Sequence, residues 1–457
     1  MSVVSVVSNI VNLQVAINNA VNGTIIVIQN GTYIPNNLIT IRGSGITVKA
    51  QTPGSVIFNT GNIAFNIIGN NNVLQGIQFL NCSTYLNSAG GANYNQYDLI
   101  SVSGSNNIIT NININNVYAQ HYINVYGGSQ HNTISYCNIQ NKPMNNTNCM
   151  NSMIEIQGNP TVVGFHNINN CTFQGMTQGS GGDYGCEPIR LGDSQYSTCN
   201  LSAIIEYCVF DNTHLADSET ISVKSINNII RYNTFSNNIG GYVSFRNGNN
   251  NIAYGNFFLN SSGIRIKQAS NISIYNNYFY GCNSPLLFAD LTGLYPNLSL
   301  YQNNINIQNN TFYNCTSLIF GTRYTSGNTI ANNIFYETAK NNILSGDTNG
   351  FTCIGNLYYG TLGITNTVGF NYTLLLIFYK NTYGYYTISG NYPSIMTGVP
   401  VLLFIPNVKY DTTNIDITGL PRTETNDIGC NQYTNRTQIP LNYPLTVNKV
   451  GPFYLQR

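Results

Sequence analysis

Asp217, Glu219, Lys224 and Arg231 fall within one short stretch, DSETISVKSINNIIRYNTF (residues 217–235), of a chain that otherwise avoids charge. Only 7% of its 457 residues are charged, against roughly 25% in an ordinary globular protein. Residues 1–182 carry five charged side chains, whereas residues 183–267 carry thirteen. Two carboxylates two positions apart on a strand share a face. With a further oxygen ligand from a neighbouring segment they suit a hard cation of the Ca²⁺ type. Such a cation, with an Arg beside it, neutralises a uronate carboxylate and so acidifies the proton on the adjacent sugar carbon. A Lys can remove that proton as general base, and an Arg can stabilise the developing charge and help protonate the leaving oxygen. That chemistry is β-elimination, which cleaves an acidic polysaccharide without water.

Plainer readings stand beside this one. Lys224 taken alone is a solvated residue at a strand edge, Asp217 and Glu219 can simply pair with Arg231, and Arg265 and Lys267 in GIRIK can be exposed strand positions. His214 reads as a surface histidine. The clustering in a chain so poor in charge is what favours the chemical reading.

These residues need elements that gather them, and an internal repeat supplies those elements. One phrase recurs, as NNVLQGIQFLN at 71, HNTISYCNIQN at 131, NNIIRYNTFSN at 227 and INIQNNTFYN at 305 among others. Each copy holds two short alternating strands around a polar turn. A marker near the end of each copy runs Phe79, Ile114, Ile139, Phe173, Phe210, Phe235, Phe258, Phe279, Phe312, Phe335, Tyr358. Near-constant spacing with occasional insertions, and no helical period between, predicts an all-β solenoid, a right-handed parallel β-helix. Two residues before the marker stand Cys137, Cys171 and Cys208, then Asn233, Asn256, Asn277, Asn310, Asn333 and Asn356. Equal coil positions stack one strand spacing apart, so the asparagines are expected to form a hydrogen-bonded ladder. Asn also tolerates left-handed turns.

NLQVAINNAVN (residues 12–22) places Leu13, Val15, Ala16 and Ala20 at roughly helical spacing, which predicts an N-terminal capping helix. After residue 362 the repeat fades. NYTLLLIFYKNTYGYYTISGNY reads as one or two unrelated strands, and the rest is irregular. The chain is therefore divided into a β-helix over 1–362 and a C-terminal cap or small appended β region over 363–457. On neighbouring coils Lys224 and Arg246 are 22 positions apart, and Arg246 and Arg265 are 19 apart. With Glu187 one longer coil earlier, all are expected on one lateral patch.

Composition sets limits on partners. A net charge of +1 predicts no attraction to nucleic acid or to anionic membranes, and no apolar run has the length of a membrane span. Eleven cysteines leave at least one unpaired. Their recurrence at a coil position predicts buried packing, with Cys149, Cys186 and Cys199 left to pair among themselves. The opening MSVVSVVSNIVNLQ lacks a basic segment and does not read as a secretory signal. Low charge and frequent sequons, Asn22 and Asn371 among them, predict an extracellular, cell-surface or virion-surface location.

The residues resemble polysaccharide lyase family 6, the alginate lyases and chondroitinase B, over roughly residues 8–285. The resemblance is carried by NLQVAINNAVNGTIIVIQNGTY with ITIRGSGITVKAQTPGSVIF, then by CEPIRLGDS, DSETISVKSINNIIRYNTF, GGYVSFRNGNNNIAYGNFF and GIRIKQASNISIYNNYF. It implies a parallel β-helix and Ca²⁺-assisted β-elimination with Lys224 as base and Arg246 as acid. It implies metal ligands Asp217 and Glu219, with Asp183 or Glu187 from the coil before. Glu187, Arg190, Asn247, Arg265 and Lys267 are implied to line the substrate cleft. The chain departs from the family pattern at Asp217, where Glu is usual, at Asn247, where His is usual, and in DYGC before Glu187. The sequence thus reads as a lyase acting on an acidic polysaccharide or surface glycan. The competing class is a non-catalytic glycan-binding β-helix of a virion appendage or adhesin, and a uronate epimerase is a third reading.

Overall fold

The computed structural model describes residues 4–84, 98–143, 152–176, 187–213, 218–289, 302–321, 326–339, 341–373, 376–388, 398, 415–422, 427–431 and 440–456. The chain divides into two compact units, Met1–Ser225 with Thr446–Arg457, and Ile226–Leu445.

In the first unit the chain visits three parallel sheets in turn. One coil, for example, runs through strands Thr133–Ser135, Asn138–Lys142 and Ile154–Ile156. Each strand pairs in parallel with its equivalent on the next coil, so the unit is a parallel β-helix. The marker residues are register partners, as the repeat predicts: Phe79 with Ile114, Ile114 with Ile139, Ile139 with Phe173, Phe173 with Phe210. Phe173 and Phe210 stack with centroids 4.7 Å apart, almost parallel. Cys137, Cys171 and Cys208 are fully buried inside this stack, which bears out the packing role. Cys199 is also buried and free, while Cys149 and Cys186 lie outside the described residues.

The second unit repeats the scheme. Its markers pair from Phe235 to Phe258, Phe279, Phe312, Phe335 and Tyr358. The asparagine ladder is present. The amide nitrogen of Asn233 donates to Asn256 Oδ1 at 3.1 Å, and the same bond continues through Asn277, Asn310, Asn333 and Asn356 at 2.9–3.0 Å. Each Oδ1 also accepts a backbone N–H from the coil before. A buried polar side chain is tolerated because every amide finds partners. The other cause of the Asn bias is backbone geometry. Residues at the coil corners, such as Asn227, Asn250, Asn271 and Asn304, adopt φ between 51° and 64°, where most L-residues are strained.

The helix is Ile10–Asn18, capped by Asn9, whose side chain accepts from the Asn12 N–H. Its buried face is Ile10, Leu13 and Ile17. The predicted helix therefore starts late and misassigns its face: Val15 is exposed and Ala20 lies beyond the last turn. Past residue 362 the coil sheet gains one more strand, Phe370–Tyr372, beside Asn356–Tyr359. An antiparallel hairpin of Phe378–Lys380 and Tyr386–Ile388 follows. The last residues pack on the first unit, where the Gly451 N–H bonds the Asn170 carbonyl and Phe453 lies 4.4 Å from the Tyr136 ring. Among the described residues no helix is long and apolar enough to cross a membrane.

Candidate active site

The third sheet of the first unit carries the charge. Its strands alternate apolar residues into the core with polar residues on the outer face. Ile154 and Ile156, Ile189 and Leu191, Ile221 and Val223 are fully buried. Between them Asn66, Ser101, Asn124, Glu155, Arg190 and Ser222 are successive register partners on that outer face. Strand alternation and coil register together gather side chains that are up to 156 residues apart in sequence.

At the end of this array Lys224 follows strand Glu219–Val223. Its Nζ is 3.6 Å from Glu187 Oε1 on the adjacent coil. The Lys224 N–H donates to the Leu191 carbonyl at 2.7 Å. Beneath it lies Gly192, at φ +79°, where a β-carbon would come within 2.7 Å of the Lys224 carbonyl oxygen. Lys224, Glu187 and Glu219 are all buried, yet Lys224 keeps 8% of its surface. Counting back from the Ile189–Ile221 pair places Glu187 opposite Glu219.

The preceding coils hold three groups that no sequence motif marked, Asp98, His121 and Glu155. They meet Arg190, an expected cleft residue, whose Nη2 is 2.6 Å from Glu155 Oε2. His121 lies between two carboxylates, with Nδ1 at 2.7 Å from Asp98 Oδ1 and Nε2 at 3.1 Å from Glu155 Oε2. Asp98 Oδ2 also accepts from Asn124 Nδ2 at 2.9 Å, the Tyr126 hydroxyl at 3.1 Å and the Ser101 hydroxyl at 3.2 Å. Burial opposes charge on every member, but the partners outweigh it. The bond from His121, its charge, and the bonds from Asn124 and Tyr126 hold Asp98 below the usual carboxylate range. His121, Arg190 and Lys224 do the same for Glu155. Asp98 and Glu155 raise the His121 imidazole above its ordinary value. Glu187, Glu155 and Asp193 raise Arg190. Asp98, Glu155 and Glu187 thus face His121, Arg190 and Lys224 in one chain of ion pairs.

Unfilled hydrogen-bonding capacity lines the same face. Among the described residues Asn124 Oδ1, Glu187 Oε2, Thr220 Oγ1 and Ser222 Oγ are buried with no hydrogen-bond partner. Buried polar atoms are rarely left so unless a ligand or water completes them. A buried carboxylate oxygen without a donor, Glu187 Oε2, suits a hard divalent cation as one ligand. Among the described residues no group of three or more His, Cys, Asp or Glu side chains forms a metal cluster. Asp183 and Asp217, the other expected ligands, lie outside the described residues, as does His214.

The second unit holds the remaining expected residues. Arg246 ends strand Tyr242–Arg246, and its register partner on the next coil is Lys267. Arg265 sits beside Ser244 instead, so Arg246 and Arg265 share a face but are offset by one pleat. Arg265 Nε donates to Ser244 Oγ at 2.6 Å, and its guanidinium lies 5.5 Å from the Tyr242 ring. Asn247 takes φ 67° and donates from Nδ2 to Gln268 Oε1 at 3.4 Å. Arg231 donates to the Tyr254 hydroxyl at 2.8 Å and lies against the Tyr232 and Tyr254 rings.

The family model described as Chondroitinase B matches residues 7–287. The chain belongs to the chondroitinase B family. The structure is similar to the PL6 family alginate lyase AlyGC, with a TM-score of 0.72 and 21% identity over 93% of this chain and 57% of that one. It is similar to a mannuronic acid specific polysaccharide family 6 lyase from human gut microbiota, with a TM-score of 0.65 and 20% identity over 81% of this chain and 91% of that one. A PL6 family polysaccharide lyase from Pseudopedobacter saltans matches with a TM-score of 0.63 and 20% identity over 79% and 96%. The chain spans little more than half the length of AlyGC. Among curated proteins no relative matches it in sequence.

Proposed function

We propose that the chain is a polysaccharide lyase that cleaves a uronate-containing glycan by β-elimination. The observation that supports this most is the Lys224–Glu187 pair, 3.6 Å apart, with Glu187 Oε2 buried beside it and without a hydrogen bond among the described residues. Arg190 on the same face is a buried guanidinium held by Glu155, and in this reading it would recognise a uronate carboxylate through the planar, two-pronged geometry of Arg.

In this reading Lys224 Nζ takes the proton from the carbon next to the uronate carboxylate. The electrons of that C–H bond form the ring double bond, the glycosidic C–O bond breaks, and the leaving oxygen receives a proton. Arg246 is assigned that last role from the motif SFRNGN. Asn247, Arg265 and Lys267 would contact neighbouring sugars. Glu187 and Glu219, with Asp217 and Asp183, would hold a Ca²⁺-type cation. When bound, the cation would withdraw charge from the substrate carboxylate and acidify the neighbouring proton. Positioned general bases are worth about 10²–10⁴-fold in rate, so Lys224→Ala should lose at least that much turnover. Binding of uronans with no formation of unsaturated ends, by the wild-type chain with or without added Ca²⁺, would favour the non-catalytic adhesin instead.

A further inference from the structure

The charge on this face is not limited to groups that can touch a sugar. His121 and Asp98 lie on the coils farther from Lys224, and the lyase chemistry above assigns them no step. The geometry points to a role for them: we propose that His121 is a positioning residue whose imidazolium, clamped between Asp98 and Glu155, holds the Glu155 carboxylate where it fixes the Arg190 guanidinium for a uronate. This rests on the lyase reading and deepens it.

The links are short, the one from His121 Nε2 to Glu155 being an ion-pair contact outside hydrogen-bond geometry. Asp98 accepts from His121 Nδ1 at 2.7 Å, His121 Nε2 is 3.1 Å from Glu155 Oε2, and that same oxygen is 2.6 Å from Arg190 Nη2. One carboxylate oxygen therefore serves two cations. If the imidazole were neutral, Glu155 would keep Arg190 and only the longer 3.4 Å bond from Ser152 Oγ. Asp98 cannot swing away, because Asn124, Tyr126 and Ser101 hold its other oxygen. His121 cannot swing away either. The buried Lys142 ammonium binds the carbonyls of Ala119 at 2.6 Å and Gln120 at 3.0 Å, directly before it. Lys142 also lies 4.8 Å from the Tyr122 ring, directly after. A buried ionic array with this much bracing is expected to specify one geometry rather than to add stability.

The charged groups facing the imidazole are Asp98 from the segment before strand Ile100–Val102 and Glu155 from strand Ile154–Ile156. Arg190 and Lys224 act on it through Glu155. Both direct neighbours are carboxylates, so the imidazolium persists above the ordinary histidine range. It is lost as pH rises through its raised value.

The test compares the full-length wild type with His121→Gln, Asp98→Asn, Arg190→Lys and the double variant His121→Gln/Arg190→Lys on oligouronates across pH. The expected result is a KM raised about tenfold in His121→Gln with kcat nearly unchanged, the size of one charge-assisted hydrogen bond. The wild-type KM should climb as pH rises through the imidazole titration, and that climb should move to lower pH in Asp98→Asn and vanish in His121→Gln. The double variant should be no worse than Arg190→Lys alone, because both changes break one chain of contacts. A wild type that cleaves while His121→Gln keeps its KM and pH dependence overturns this role alone. Full additivity of the two changes overturns it as well. A wild type that cleaves no uronan overturns the lyase reading and this role together.

Discussion

The Lys224 ammonium and the Glu187 carboxylate sit 3.6 Å apart on adjacent turns of the coil, both buried, and among the described residues the second Glu187 oxygen has no hydrogen bond. One glutamate thus serves the proposed base on one side and leaves an open ligand position on the other. Glu187→Gln removes both services. Removing one partner of a buried ion pair typically costs about 3–5 kcal/mol, so this variant should melt earlier. It should also bind Ca²⁺ more weakly by calorimetry and lose turnover on any uronan the wild type cleaves. Unchanged cation affinity would remove Glu187 from the metal site.

Gly192 tests the same pair through the backbone. A β-carbon there would come within 2.7 Å of the Lys224 carbonyl oxygen and 2.9 Å of Ser225 Cβ. Gly192→Ala should displace Lys224 and lower kcat well over tenfold. Gly23 has nearly the same backbone conformation, φ +84°, with nothing within 4 Å of its virtual β-carbon. Gly23→Ala should cost only the left-handed strain of about 1–2 kcal/mol and leave turnover intact. Equal losses in both would mean that Gly192 matters only for folding.

The pH dependence of stability follows from the signs of the shifts. Asp98 and Glu155 are lowered on folding, so their contribution is full above the unfolded carboxylate range and is lost as pH falls through their lowered values. His121 is raised, so its contribution is full below the unfolded histidine value and is lost as pH rises through the raised one. The melting temperature of the wild type should therefore peak between the unfolded carboxylate range and the unfolded histidine value, and fall from there toward the raised one. Asp98→Asn should flatten both limbs. A wild-type curve that keeps rising from pH 6 to pH 9 would contradict the assignment of His121.

The ladder in the second unit makes a stability prediction of its own. Asn310 Oδ1 accepts two bonds from Asn277, and its Nδ2 donates to the Ile274 and Gln308 carbonyls and to Asn333. Asn310→Ala strands those partners in the core, at about 1–3 kcal/mol for each buried group left unsatisfied. Chemical denaturation should show a loss of that order. A loss below 1 kcal/mol would mean that water or relaxation replaces the ladder.

What could be read in the sequence was what repeats. The marker residues and the asparagines recur at one coil position, so periodicity alone placed them in register. Lys224 and Glu187 were marked by clustered charge. Asp98, His121 and Glu155 were not, because each occurs once, and the third strand of each coil carries no recurring marker. Their meeting depends on coil lengths that insertions alter, 23 residues from Asp98 to His121 and 34 from His121 to Glu155. The same sensitivity explains Arg246. Its 19-residue distance to Arg265 suggested neighbours, but this coil takes 21 residues, which puts Lys267 beside Arg246. The helix was read two residues late because its first buried residue, Ile10, follows directly on the Asn9 cap.

The central claim is that Lys224 abstracts a proton from a uronate. The most direct measurement is the absorbance of newly formed unsaturated uronate ends when the wild-type chain and Lys224→Ala are incubated with alginate, chondroitin and dermatan, with Ca²⁺ and with a chelator. Growth of that absorbance on at least one polymer in the wild type, absent in Lys224→Ala, is the predicted result. Equal growth in both proteins, or none in either while the polymer is bound, would contradict it.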